Sequence, residues 1–413
     1  MPAPSSSLIN PALSHLRALP DGDRDFLTGR FPSLLEYLAW VPDPRDPRGV
    51  RHTLVSLLGL AVAAVLSGSR GFTAIGEWVL DASPQVLAAF GVRRDLLTRR
   101  FEPPDEATIR RVVQDVDAGA LDAAIGSWLA AALQARDRND PASDGGRRER
   151  RALAVDGKAL RGTRHHTADG QALHLLSVLD QAAGIVLGQT GVQGKTNEIT
   201  RFRPLLERLD LAGAVVTADA LHTQREHAQF LVTEKDAHYI LVVKKNQPSL
   251  YSQVKDLPWR KIPIMHADND HGHGRDERRT IKVVTLAEGL LFPHAAQAIC
   301  ITRRTRQAGT KKWKTVTVYA VTSLAVHEAT PAEIAGWIRG HWSIEALHHV
   351  RDVTFGEDAS QVRTGNGPRV MATFRNLVIG ILKLTGHDNI ATAQRHHSRD
   401  AARTLTTLGI SPA

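Results

Sequence analysis

"AGAVVTADA", residues Ala212 to Ala220, is a run of small and β-branched apolar side chains that stops at an aspartate. A short apolar run bounded by glycine and charge reads as a strand buried on both faces. A second run, "ALAVDG" (Ala152 to Gly157), also stops at an aspartate, Asp156. Between the two lie "LHLLSVLD" and "GIVLGQTGV", a hairpin with its turn at Gln181 to Gly184. "NEITRFRPLLERLDL" follows as a helix with Phe202, Leu205, Leu206 and Leu209 on one face. Beyond Asp219, "QREHAQFLVTEKD" reads as a helix and "HYILVVKKNQ" as a strand. The order is β-β-β-α-β-α-β.

That order decides the fold class. An antiparallel meander, a helix and a strand parallel to the first begin a ribonuclease H-like α/β core. If the strands ending at Asp156 and Asp219 are parallel neighbours, their carboxylates face each other at the C-terminal sheet edge. Functional groups gather at that edge, where loops are free of core duty. A lone strand-end aspartate is more often a turn or cap residue. The pair, in this order and in a basic chain, points to chemistry.

The 413 residues permit a large core, and 42% hydrophobic content excludes a disordered chain. A net charge of +9 points to a polyanionic partner, first of all nucleic acid. The single cysteine, Cys300, permits no internal disulfide and suits a cytoplasmic chain. The N-terminus shows no signal-peptide pattern. "HTLVSLLGLAVAAVLSG" (His52 to Gly68) is too short and too interrupted to span a bilayer, so a buried helix and no membrane partner are expected.

Residues 1–30 read as loosely ordered and 31–135 as a helical domain. Within it, "PPDEATIRRVVQDVD" places Ile109, Val112, Val113 and Val116 on one helix face. Residues 136–151, rich in charge and glycine, read as a linker. The catalytic core is expected at 152–250 and 326–390, interrupted by a β-rich insertion at 251–325, with a C-terminal tail at 391–413.

A third carboxylate is sought in "RGHWSIEALHHVRDVTFGED" (Arg339 to Asp358), a helical stretch. Glu345 sits there among apolar neighbours, a costly place for a carboxylate unless it is paired or on a metal. Trp342, Ile344, Leu347 and Val350 are expected to pack this helix down. Glu357 and Asp358, past "TFG", are expected in solvent. Glu333 suits a helix start. Asp156, Asp219 and Glu345 together would form an all-oxygen site for two Mg²⁺, for which Mn²⁺ can stand in. Zinc is disfavoured, since neither HExxH nor paired cysteines accompany the histidines. "GVQGKTNE" lacks the gap of a phosphate loop.

"AVDGKALRGT", "GKTNEI", "TADALHTQ", "VVKKNQP", "HGRDERR", "HWSIEALHHVRDVTFGEDASQVR" and "MATFRNL", in this order, resemble the DDE transposases of bacterial insertion sequences. The resemblance is to the ISAs-type, or H-repeat-associated, group and runs from about Phe31 to Leu384. It implies a ribonuclease H-like core with a β insertion and a DNA-binding N-terminal part. It makes Asp156, Asp219 and Glu345 the triad, 63 (219 − 156) and 126 (345 − 219) residues apart. It implies cleavage at insertion-sequence ends, strand transfer into target DNA and a homodimer on DNA.

The chain departs from the wider superfamily at three places around the glutamate. Tyrosine seven before it, arginine four before it and lysine seven after it are here Ile338, His341 and Asp352. His341, His348 and Arg351 are candidate substitutes for the DNA-gripping side chains. Lys158, Arg161, Lys244, Lys245, Arg275 and Arg279 are further candidates for phosphate contacts. Val370 stands where the group often has asparagine. Two other readings stay open: a transposase-derived DNA-binding protein with an inactive site, and a metal-dependent nuclease that does not join strands.

Overall fold

Local caps start the N-terminal helices. The computed structural model describes residues 33–139, 150–166, 170–192, 197–272, 274–286 and 292–410; the expected loose segment at residues 1–30 lies outside them. Ser33 caps α1 (Leu34–Leu38) and Thr53 caps α2 (Leu54–Leu66). Helix α3 (Phe72–Leu80) follows Gly71, Ser83 caps α4 (Pro84–Ala89) and Asp105 caps α5 (Glu106–Asp115). Each capping oxygen accepts from a backbone N–H that the helix itself leaves unpaired. Every residue of α2 except Val55 is buried, so the apolar run is a core helix as expected. No single helix among the described residues is long and apolar enough to cross a membrane. Helix α6 (Ala118–Asn139) runs into the charged stretch that was expected to be linker from residue 136.

The strands that follow are β1 (Ala152–Leu160), β2 (Leu173–Asp180) and β3 (Ile185–Val192). Helix α7 (Glu198–Glu207) leads to β4 (Val215–Ala218). Helix α8 (Arg225–Gln229), prolonged by a π turn at Phe230–Glu234, leads to β5 (His238–Val243). β1 is antiparallel to β2 and parallel to β4, and β4 is parallel to β5. This is the ribonuclease H-like order expected from the sequence.

One boundary differs. The parallel ladder between β1 and β4 ends at Val155↔Ala218, but β1 itself continues against β2 as far as Leu160↔Leu173. Asp156 therefore leaves the parallel ladder yet stays inside a strand, held by β2 on its other side.

The segment expected as an insertion does not stand apart. After α9 (Pro248–Lys255) come β6 (His266–Gly272), β7 (Arg275–Thr285), β8 (Gln297–Gln307) and β9 (Lys314–Thr322). β9 pairs antiparallel with β5, so one nine-stranded sheet runs β3-β2-β1-β4-β5-β9-β8-β7-β6. The free edge of β5, a row of unpaired N–H and C=O groups, is thereby covered.

Helices α10 (Pro331–Gly340), α11 (Trp342–Val353) and α12 (Gly367–Leu384) complete the core. α12 is buried along most of its length and packs against α6, β3, α2 and α5. One apolar core thus extends from Leu34 to Ile410 and joins the N-terminal helices to the sheet. The expected tail folds as α13 (Ile390–His397) and α14 (Ala401–Thr407). Gln394 donates to the Val65 carbonyl at 3.1 Å, and the Ser67 and Thr404 hydroxyls meet at 3.1 Å. The chain end therefore closes over α2.

His397 is buried in this contact, between the Ala393 carbonyl at 2.8 Å and the Thr407 hydroxyl at 2.7 Å. Burial pushes its pKa down to about 4, so it is neutral when folded and protonates more readily when unfolded. Its contribution is complete above the unfolded value near 6.5 and is lost as pH falls towards 4. Linkage puts the loss at about 2 kcal/mol at pH 5. Melting curves at pH 7 and pH 5 should show a smaller drop in Tm for His397→Gln than for the natural chain. Equal drops would refute this assignment.

Candidate active site

The parallel pairing of β1 and β4 brings the ends of two apolar runs together. Asp156 follows Val155 and Asp219 follows Ala218, and those two residues are register partners. One oxygen of Asp219 accepts from the Leu221 N–H at 2.8 Å, capping the turn at Ala220–His222. The cap reading of this aspartate therefore holds for one of its two oxygens.

Glu345 arrives from the other side of the sheet edge. Thr330 and Glu333 form a capping box that starts α10. The single helix expected here breaks at His341 into α10 and α11. Gly340 lies against the Gln181 side-chain oxygen, where a Cβ has no room. His341 Nδ1 lies 3.0 Å from the Thr217 hydroxyl, which also accepts from Gln181 Nε2 at 2.8 Å and donates to the Leu153 carbonyl at 3.1 Å. With its one proton given to Leu153, the hydroxyl accepts from His341, which places the imidazole proton on Nδ1. The helix break is thus nailed to β4 two residues before Asp219.

The expected packing face of α11 is only half right. Ile344 and Leu347 are buried, but Trp342 is 54% exposed with the Arg303 guanidinium over its ring, and Val350 is half-buried. Glu345 is exposed rather than set in apolar surface. Because α11 starts afresh at Trp342, its inner face is Ile344–Leu347–Arg351, and Glu345 points to the rim. Glu345 and Asp219 line one cavity of roughly 320 Å³, together with Lys244, Arg279, His341 and Trp342.

Electrostatics ties Asp156 to the same place. Burial pushes its pKa up to about 6; donation by the Gly157 N–H opposes this, and the charges of Asp219, Glu345 and Glu198 add to the rise. Asp219 and Glu345 both act on Asp156, and such a set of carboxylate oxygens fits a hard divalent ion by donor type. As the side chains stand, no group of three His, Cys, Asp or Glu among the described residues is arranged to hold one.

The side chains nearest these carboxylates correct several expectations. Lys158, two residues beyond Asp156 on β1, is buried and donates to both oxygens of Asp352 at 2.7 Å. That is the task of Asp352: it pairs α11 to β1. His348, one turn earlier on α11, places Nδ1 3.6 Å from Asp156. Burial, Arg351 and Lys158 drive His348 down to about 3, so it is neutral. Arg351 is fully buried, bonded to Glu357 at 2.9 Å and to Asn376 at 3.3 Å. Glu357, expected in solvent, is buried between Arg351 and Arg375.

Lys158, His348 and Arg351 therefore offer no free charge to a phosphate. His341 is occupied by Thr217, and burial lowers its pKa. Arg279 reaches the cavity while paired with Glu277 at 2.5 Å. Arg161, Lys244, Lys245 and Arg275 are exposed. Val370 is buried in the core within α12.

Sequence reasoning missed a buried carboxylate beside the site. Glu198, at the start of α7, is 3% exposed. His174 Nδ1 lies 3.0 Å from it and His222 Nε2 3.5 Å. Burial alone would raise Glu198, but the two imidazoles beside it outweigh this and hold the carboxyl at about 2. Its oxygens press on Gly157, where a Cβ would lie 2.7 Å away. Glycine after Asp156 is thus a steric requirement. The only sequence signal was "GKTNEI" itself, in which Glu198 looks like an ordinary helix-start acid.

The Lys158–Asp352 pair is asymmetric: the Lys158 side chain is 8% exposed, that of Asp352 32%. Removing Asp352 strands a buried ammonium, whereas removing Lys158 leaves a carboxylate that water reaches. Asp352→Asn should therefore cost about 3 kcal/mol and Lys158→Met clearly less. Thermal melts of the two variants check the order, and a lower Tm for Lys158→Met would contradict it.

Comparison with known proteins identifies the family. Residues 147–381 match the family model described as "Transposase DDE domain", and residues 35–129 match "DDE_Tnp_1-associated". The chain is 30% identical to "Putative transposase YncI" of Escherichia coli O157:H7 over 85% of its own length and 87% of that protein. It is 28% identical to "H repeat-associated putative transposase YhhI" of E. coli K12, over 84% and 90%. A solved piggyBac transposase synaptic complex with hairpin DNA is a distant likeness, with a TM-score of 0.40 and 11% identity over 94% of this chain and 80% of that one. With the family model covering more than half of the chain, this protein belongs to the DDE transposase family.

Proposed function

We propose that the protein cuts DNA at the ends of its own insertion sequence and joins the freed ends to target DNA, with Asp156, Asp219 and Glu345 as the catalytic carboxylates. The observation that carries this reading is the convergence of all three on one sheet edge. Asp156 and Asp219 follow paired residues of the parallel ladder, and the charges of Asp219 and Glu345 act on Asp156.

The three side chains would hold two Mg²⁺, or Mn²⁺ in their place. Such ions supply activation of the attacking oxygen and stabilisation of the leaving oxygen in a phosphodiester displacement. Asp219 keeps one oxygen on the Leu221 N–H, which orients the other towards the site. Asp156 is held on a paired strand and Glu345 on the first turn of α11, so two of the three donors stand on regular elements rather than loose loops. His341, neutral and fixed by Thr217, holds the start of α11 and so the place of Glu345. Arg161, Lys244, Lys245, Arg275 and Arg279 would grip the duplex backbone without reading sequence. Two ends to be cut and joined suit two copies of the chain on DNA.

Asp156→Asn and Glu345→Gln should each bind a DNA fragment spanning the element's end as the natural chain does. Each should lose Mg²⁺-dependent cleavage of it by a factor of a hundred or more, roughly 3 kcal/mol of barrier. Full cleavage by either variant would remove these residues from the site. Cleavage without joined products from the natural chain would leave a nuclease, and binding without cleavage a DNA-binding descendant.

A further inference from the structure

The outer half of the β6–β9 sheet carries an arrangement that sheets ordinarily avoid. Arg278 is the register partner of Arg304, and Arg279 of Arg303. Two adjoining rungs thus set four guanidinium groups directly opposite one another, a destabilising juxtaposition of like charge. Side chains alternate along a strand, so the two rungs face opposite ways. Arg279 and Arg303 face the cavity that contains Asp219 and Glu345. Arg278 and Arg304 lie on the reverse face, both exposed.

The reverse face has its own composition. Near the middle of the sheet it is covered, since Trp259 stacks on Tyr319 and Lys282 donates to the Trp259 carbonyl. Further out it is open. Thr280, Thr302 and Thr317 form one row across three strands, and Arg278, Arg304 and Thr315 the next. Beyond them Arg304 and Arg306 both lie over the ring of Trp313, 5.1 and 4.7 Å from its centre. The one acid among these outer residues, Asp276, is taken by Arg306 at 2.6 Å and by His271. Among the described residues no carboxylate forms an ion pair with Arg278 or Arg304. The polar side chains of the two rows are hydroxyls, guanidiniums and, on β6 beside Arg278, the exposed Asn269 amide, all groups that contact phosphate oxygens. The indole holds two of the guanidiniums in place, so little freedom remains to be lost on binding.

We propose that Arg278 and Arg304, the latter ordered by Trp313, form a second DNA-docking surface that takes the phosphate backbone of a duplex segment other than the one at the carboxylates. The inference rests on the reading of the chain as a DNA transposase. A stiff duplex lying against one face of a sheet does not reach the other, so the two arginine rungs serve two segments. Charge complementarity gives the opposed arginines a use: the polyanion neutralises the repulsion that the free protein bears. Contacts of this kind track the backbone and not the base sequence.

The test uses the full-length chain carrying Arg278→Gln and Arg304→Gln, and a duplex of unrelated sequence. The slope of log affinity against log salt should become shallower by about 2, one unit for each lost phosphate contact. Tm should hold or rise, because the like-charge rung is relieved. Arg278→Lys with Arg304→Lys should restore the slope. An unchanged slope would overturn the proposal, as would a fall in Tm accompanying the loss of binding, or a weakening seen with anionic phospholipid vesicles but not with duplex DNA. If the slope is unchanged while the natural chain still cleaves element ends with Mg²⁺, this surface alone is refuted. If the natural chain neither binds duplex nor cleaves, the proposed function falls first.

Discussion

Four rungs of parallel ladder, Ala152–Val155 against Val215–Ala218, are the constraint on which the rest depends. Parallel strands cannot be joined by a tight turn, so the chain between them must supply a crossover. Here that crossover is the β2–β3 hairpin and α7. The same pairing sets Asp156 and Asp219 at one edge, because a strand register offers no freedom to slip when both faces are buried. β2 then carries β1 past the ladder's end and turns Asp156 from a loop residue into a strand residue.

The third carboxylate depends on a different kind of contact. α11 is not held by apolar packing alone. Lys158 pairs with Asp352, His348 faces Asp156, and Arg351 bonds Asn376 and shares Glu357 with Arg375. Asn376 in turn donates to Gln189, which reaches Asp122 on α6. A chain of buried polar contacts therefore runs from the N-terminal helices to the helix carrying Glu345. Removing one partner of such a network leaves a charge stranded in low dielectric, which gives the helix one position rather than several. A shared core and this network make the N-terminal helices part of the catalytic scaffold rather than an attached module.

Much of this was legible in the chain. The strand and helix order followed from apolar runs and helical periodicity, and α2 from the density of its apolar residues. The turn at Gln181–Gly184 followed from its composition. What failed did so for stated reasons. Trp342 was expected inside because one long helix was assumed, and the break at His341 depends on Gln181 and Thr217, distant in sequence. Glu357 was expected in water because a carboxylate after a glycine break is usually solvated, and its two arginine partners come from other helices. Glu198 passed as a helix-start acid because His174 and His222 approach it only through the sheet.

The sequence by itself determined the β-β-β-α-β-α-β order, the two aspartates at strand ends, the basic character and the family resemblance, because these are written in local periodicity and short motifs. Only the tertiary structure decided which charges are spent inside the protein and which remain exposed. Lys158 and Arg351 look like surface cations in the chain, and Arg278 and Arg304 look no different from them. Burial and register separate them: Lys158 meets a carboxylate delivered by a distant helix, Arg351 is buried against Glu357 of the turn after its own helix, and the last two meet each other across a ladder. A charge's partner is a property of the fold, and the sequence around it carries no sign of which partner it will find.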